Sequence, residues 1–209
     1  VITANQILAK FGSGPVQEIM RDHPRVSVSL EGTQREQSET FGSLLPMFIL
    51  ALFIIYALLA IPLRSYGQPL IIMSVIPFAF VGSVWGHIIM KILGLLDSMA
   101  IMSIMGIVAA SGVVVNSSLV LVHAVNHRRA DGMSVSDAVI EAAVSRCRPI
   151  LLTSLTTFAG LTPLLLNQSV QAGVLIPMAT SLAWGVMLAT VVTLLVVPAG
   201  YLILEDAGT

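Results

Sequence analysis

The residues able to do chemistry in this sequence are few, and most sit inside apolar stretches. Asn116, Ser117 and Ser118 follow one another in a long uncharged run, with His123 beyond them. Thr153, Thr156 and Thr157 form a second cluster, and Arg146 stands just upstream of it. Amides, hydroxyls and an imidazole in such surroundings can relay a proton or bond one helix to another. They could also serve nucleophilic catalysis if a base stood in helical register with Ser117. His123 is six residues from it and no activating acid accompanies the pair, so an intramembrane enzyme is the weaker reading. The single cysteine, Cys147, excludes an internal disulfide or a cysteine-cluster metal site. No metal and no cofactor are expected.

The elements that carry these residues follow from the distribution of charge. The chain has 209 residues, 56% of them hydrophobic and 10% charged. Soluble domains average about 25% charged residues. From Phe41 to His127 the charges are Arg64, Lys91 and Asp97, and from Pro149 to Leu204 there are none. Stretches of that kind fit a bilayer, where a spanning helix takes about 20 apolar residues. With a net charge of -1 and no basic face, nucleic acid is not an expected partner, and a soluble enzyme or a disordered chain is excluded.

Residues 1–40 read differently. Pro15 to Asp22 predicts a short helix ended by His23-Pro24. Arg25 to Glu31 alternates in polarity and predicts a half-buried strand. This short α+β stub cannot close a core by itself. The chain opens at Val1 without an initiator Met, so it is expected to be a piece of something longer, with residues 1–40 as the remnant of an extramembrane domain.

Residues 41–209 predict a bundle of five transmembrane helices: about Leu44 to Leu63, Leu70 to Met90, Met99 to Val125, Ile150 to Leu166, and Val174 to Leu204. The longest loop, Asn126 to Arg148, should hold a short amphipathic helix near 134–147 lying along the membrane. Ser134 and Asp137 have capping spacing there, and Pro149 should open the next helix. Arg64, Arg128, Arg129, Arg146 and Arg148 lie in loops on one side and Lys91 on the other. That bias places the arginine side and the C-terminus in the cytoplasm and the N-terminal piece outside. The arginines also suit lipid headgroups.

Within the third helix, Ala109, Gly112, Asn116, Val120 and His123 recur at three- and four-residue steps and share one face. Thr153, Thr157 and Gly160 make a similar face on the fourth. Gly82, Gly86, Gly112 and Gly160 are expected to allow close helix packing. His87 and His123, near helix ends, could reach water. Asn116 reads equally as a helix-helix bond or as part of a relay. No Asp, Glu, Lys or Arg lies deep in any of the five spans.

The run Gly112-Val-Val-Val-Asn-Ser-Ser-Leu-Val-Leu-Val122 resembles the central helix of the second half of RND (resistance-nodulation-division) efflux transporters. Arg146-Cys-Arg-Pro-Ile-Leu-Leu-Thr153 through Thr157 does so too. Glu31-Gly-Thr-Gln-Arg-Glu-Gln37, Ile61-Pro-Leu-Arg-Ser-Tyr66 and the ending Val197-Pro198 to Asp206 fit the same pattern in order. The resemblance implies the C-terminal end of a permease subunit: the last part of a periplasmic porter domain and the final five membrane helices, in the bacterial inner membrane. It implies a trimer that exchanges protons for small hydrophobic or amphiphilic compounds. The partners implied are the N-terminal half of the same permease, a periplasmic adaptor, an outer-membrane channel and membrane lipid. By the same resemblance Asn116 and Thr153 match relay residues and Arg146 a cytoplasmic-side arginine; with Ser117, Ser118 and His123 beside them, these are the proton-relay candidates. Multidrug members carry lysine in place of Asn116, while other relatives keep Asn followed by Asp in place of Ser117 and an acid in place of His123. This chain has neither carboxylate, which leaves a neutral hydrogen-bond route. A rival reading is a protein of the same fold with a structural or export-assisting role.

Overall fold

In the computed structural model the described residues are 33–96, 100–167 and 169–208, and all of their regular structure is helical. The expected helix at Pro15–Asp22 and strand at Arg25–Glu31 lie outside them. The chain divides into two units, Val1–Pro46 and Met47–Thr209, and the helix bundle belongs to the second. The helices are α1 (Thr33–Leu63), α2 (Gly67–Met73), α3 (Ile76–Ile92), α4 (Ile101–Ala130), α5 (Val135–Leu165), α6 (Val170–Gly173) and α7 (Ile176–Gly208).

Local chemistry sets most of these limits. The expected span from Leu70 to Met90 is two helices, because Pro77 at the second position of α3 has no N–H to offer Met73 and its ring crowds that carbonyl. The chain turns at Ser74, whose Oγ donates to Ile71 O at 2.7 Å. α1 ends where Arg64 takes a left-handed backbone (φ 48°), which costs an L-residue roughly 1–2 kcal/mol. At the end of α4, Gly132 (φ 89°) supplies the same conformation without that cost, and its N–H bonds Arg129 O at 3.0 Å.

The largest departure concerns the loop before the fourth span. Ser134 caps a helix as its spacing predicts, accepting from Asp137 N at 3.2 Å. That helix does not stop at Arg148-Pro149. α5 runs unbroken from Val135 to Leu165 with Pro149 and Pro163 inside it, so the amphipathic segment and the apolar segment are one helix. A proline removes one ladder bond and does not by itself end a helix whose flanks are good helix formers. Stretches within α1, α2–α3, α4 and α7 are long and apolar enough to cross a membrane. The apolar half of α5 is diluted by Thr153, Ser154, Thr156, Thr157 and Thr162 and stands apart from these four.

α7 is the central post, packing against α2, α3, α4 and α5. Lipid tails are as apolar as leucine, so close van der Waals approach must hold the helices together. The approach is made by small residues. A Cβ at Gly82 would stand 2.7 Å from Trp184 O, and one at Gly86 would collide with the Trp184 side chain. Gly106 of α4 lies equally close to Met178 and Ser181, and Gly185 of α7 meets Ser83, Ala79 and Ala110. Gly112 and Gly160 do not share this role within the described chain, since a Cβ at either meets nothing within 4 Å.

Polar links reinforce the same crossing. Ser83 Oγ donates to Ser181 O (2.8 Å), sharing its hydrogen with Ala79 O, and Ser154 and Thr190 hydroxyls meet at 2.5 Å. Phe158 and Trp184 stack edge to face with centroids 5.2 Å apart. His87, expected to reach water, is 5% exposed and ties α3 to α4 instead. Its Nδ1 lies 2.9 Å from Ser83 O, which can only accept, so Nδ1 carries the proton. In the neutral ring Nε2 then accepts from Ser103 Oγ at 2.9 Å. Ser103→Ala would leave Nε2 buried and unpaired, a loss of about 1–3 kcal/mol. Gly106→Ala should lose a comparable amount through overpacking. Both should lower the melting temperature of the full-length protein in detergent, whereas Gly173→Ala, with nothing within 4 Å, should not.

Candidate functional site

The polar residues of α4 divide between two sides of the helix. Ala109, Gly112, Asn116, Val120 and His123 are all exposed and form one continuous stripe. The opposite side, including Ala110, Val114, Ser118, Leu121 and Val125, is buried. This division separates the candidates named from the sequence. Ser118, grouped with Asn116 as a relay residue, points into the bundle, and its hydroxyl is committed to Val114 O at 2.9 Å. Residues two apart on a helix are about 200° apart around it, so Ser118 and Asn116 lie on opposite sides. Ser117 is half-buried and donates to Val113 O at 3.1 Å. The Asn116 amide makes no hydrogen bond among the described residues.

α5 presents a second open face. Ile150, Ser154 and Leu165 are its buried residues in the apolar half, and Ser154 faces α7 through Thr190. Thr153, Thr156 and Gly160 are exposed. Thr153 Oγ1 donates to Pro149 O at 2.5 Å, and Thr157 Oγ1 to Thr153 O at 2.8 Å. Each hydroxyl hydrogen is therefore held by the helix itself, while its lone pairs stay open to a donor from outside. Thr153 and Asn116 are both exposed, and no hydrogen bond joins them. Arg146 is exposed on α5 and makes no ion pair among the described residues.

A third group, which the sequence reading missed, gathers the arginine-bearing end of the helices. Asn126 Nδ2 donates to Gln68 Oε1 (2.8 Å), Gln68 Nε2 returns a bond to Asn126 Oδ1 (3.2 Å), and Tyr201 OH donates to the same oxygen (2.7 Å). Arg129 pairs with Glu205, while Arg128 pairs with Glu141 (3.4 Å) and donates to Ser145 Oγ (2.9 Å). These contacts fasten α2, α4, α5 and α7 at one end. They join residues far apart in the chain, and the one signal available was that Gln68 and Asn126 are amides beside charged helix ends.

Comparison with known proteins agrees with this architecture. A family model described as the AcrB/AcrD/AcrF family matches residues 15–205. The chain is 30% identical over 189 residues to the swarming motility protein SwrC of Bacillus subtilis (strain 168), covering 88% of this chain and 17% of that protein. It is similar in structure to a crystallised heavy metal efflux pump, with a TM-score of 0.71 and 26% identity, covering 91% of this chain and 19% of that one. The chain thus spans under a fifth of the length of either relative. Its helices, its order of motifs and these matches agree: the chain is a multi-pass membrane protein sequence belonging to the AcrB/AcrD/AcrF family of RND efflux transporters.

Proposed function

We propose that this chain supplies the second-half helices of a proton-driven RND permease, and that the open faces of α4 and α5 dock on a first half lying outside it. The observation that carries this reading is the Asn116 amide, exposed at mid-helix on α4 and without a hydrogen bond among the described residues. An amide left unpaired in hydrocarbon costs about 4–8 kcal/mol on a water-to-cyclohexane scale. Lipid cannot cover it at that cost, whereas a protein surface offering a donor or acceptor can. No carboxylate lies deep within the described spans, Glu205 and Asp206 standing at the end of the last, so the proton carrier in this reading is an acid on the docking half. Asn116, Ser117, Thr153 and His123 then answer its change of charge with neutral hydrogen bonds, and Arg146 stands toward the water at the arginine end.

In this reading the apolar half of α5 also spans, as the fourth in chain order, and its polar first half belongs to the cytoplasmic surface, with the arginine end inside. The whole protein works in the inner membrane as a trimer with an adaptor and an outer-membrane channel. It exports small hydrophobic or amphiphilic compounds, selected by regions outside this chain. A catalytic role for Ser117 finds no support, because its hydroxyl is bonded to Val113 O and no base lies in register.

In the full-length protein, Asn116→Leu should reduce proton-coupled export about tenfold, the worth of one lost buried polar pair. The measurement is export from energised membrane vesicles at matched expression, with Val191→Leu on the exposed side of α7 as the neutral control. Unchanged export by Asn116→Leu would remove the relay role.

A further inference from the structure

At the arginine-bearing end lies a cavity of about 420 Å³, rimmed by Pro62 and Leu63 and lined by Arg64, Gln68, His123 and Asn126, with His127, Arg129 and Tyr201 completing it. Its hydrogen bonds are arranged in one sense. Asn126 Oδ1 spends both lone pairs, one on Tyr201 and one on Gln68, and Gln68 Oε1 accepts from Asn126. What remains for a ligand is chiefly donors: the second hydrogens of the two amides and the Arg64 guanidinium. Glu205 offsets the charge of Arg129, but Arg64 makes no ion pair among the described residues. It is held there on a left-handed backbone at φ 48°. A polar cavity offering donors and one uncompensated cation is suited to an anion.

A second cavity, of about 350 Å³, lies between α1 and α2 and is lined by Ile49, Leu52, Phe53, Tyr56, Leu70 and Met73. Ile49, Leu52, Tyr56 and Leu63 recur at three, four and seven residues along one face of α1, so this apolar groove follows the helix toward the rim of the cationic cavity. A phosphate site at the end of a membrane helix, with an apolar groove along the same helix, has the two parts of a phospholipid.

We propose that the cavity at Arg64 binds the phosphate of an anionic phospholipid, one of whose acyl chains lies in the α1–α2 groove. The site shares His123 with the proposed relay and is otherwise built from the end of the bundle. It would tie the α1–α2 connection to the ends of α4 and α7 through a lipid bridge.

The test uses the full-length protein, delipidated in detergent and titrated with phosphatidylglycerol or phosphatidylcholine in native mass spectrometry. Wild type should retain phosphatidylglycerol over phosphatidylcholine by roughly fivefold, the worth of one basic residue at a membrane surface. Arg64→Asn, a residue that tolerates a left-handed backbone, should abolish that preference. Arg64→Lys should keep most of it, and Arg148→Asn, an exposed arginine outside the cavity, should leave it intact. Equal loss with Arg148→Asn would reduce the effect to general surface charge, and equal loss with Arg64→Lys would make it structural; either overturns the proposal. So would the absence of a headgroup preference. Displacement of the lipid by millimolar inorganic phosphate would assign the cavity to a free anion and overturn the lipid as its occupant.

Discussion

The controlling constraint is that hydrocarbon offers no hydrogen bonds, so each polar atom in these helices must find its partner within protein. The chain meets that demand mostly by local means. Ser111, Ser118, Thr153, Thr156 and Thr193 each return their hydroxyl to a carbonyl of their own helix, and His87 is closed between Ser83 and Ser103. Thr180 Oγ1, Ser181 Oγ and Trp184 Nε1 depart from that pattern as buried groups without a partner on α7, and the Asn116 amide departs from it as an exposed one on α4. The proposed coupling role rests on the exposed one, Asn116.

The bundle is built so that this exception can be tolerated. α7 gathers the other helices through glycine, alanine and serine, and the crossings at Gly82, Gly86, Gly106 and Gly185 leave no room for a larger residue. Such packing keeps the buried side of α4 rigid while its other side, with Gly112 at its centre, stays open and smooth. A smooth face whose polar groups are Asn116 and His123 suits a second helix surface. At the arginine-bearing end of the same helices the Asn126, Gln68 and Tyr201 bonds hold α2, α4 and α7 together.

What the sequence could say came from charge and periodicity. Sparse charge marks five apolar stretches, of which the described helices offer four long and apolar enough to span, and steps of three and four residues place Ala109, Gly112, Asn116, Val120 and His123 on one face without any geometry. Where local rules compete, the reading fails. Pro77 breaks a span that hydropathy shows as continuous, while Pro149 leaves intact a helix that a boundary rule would start afresh. Ser118 stands beside Asn116 in sequence, although the helix turns it to the other side. The distance of His87 from a helix end says nothing about the neighbour that buries it. The cluster around Asn126 joins residues 58 and 75 positions away, a separation no local pattern reports.

The central claim is that protein, not lipid, covers the Asn116 face of α4. Spin labels placed singly at Gly112 and Val120 in the full-length protein, reconstituted in bilayers, measure this through their accessibility to dissolved oxygen. A label at Phe80, exposed on α3, serves as the lipid-facing reference. A protein-covered face requires oxygen accessibility at Gly112 and Val120 well below that at Phe80. Values at both positions equal to the Phe80 reference would show α4 facing lipid and contradict the claim.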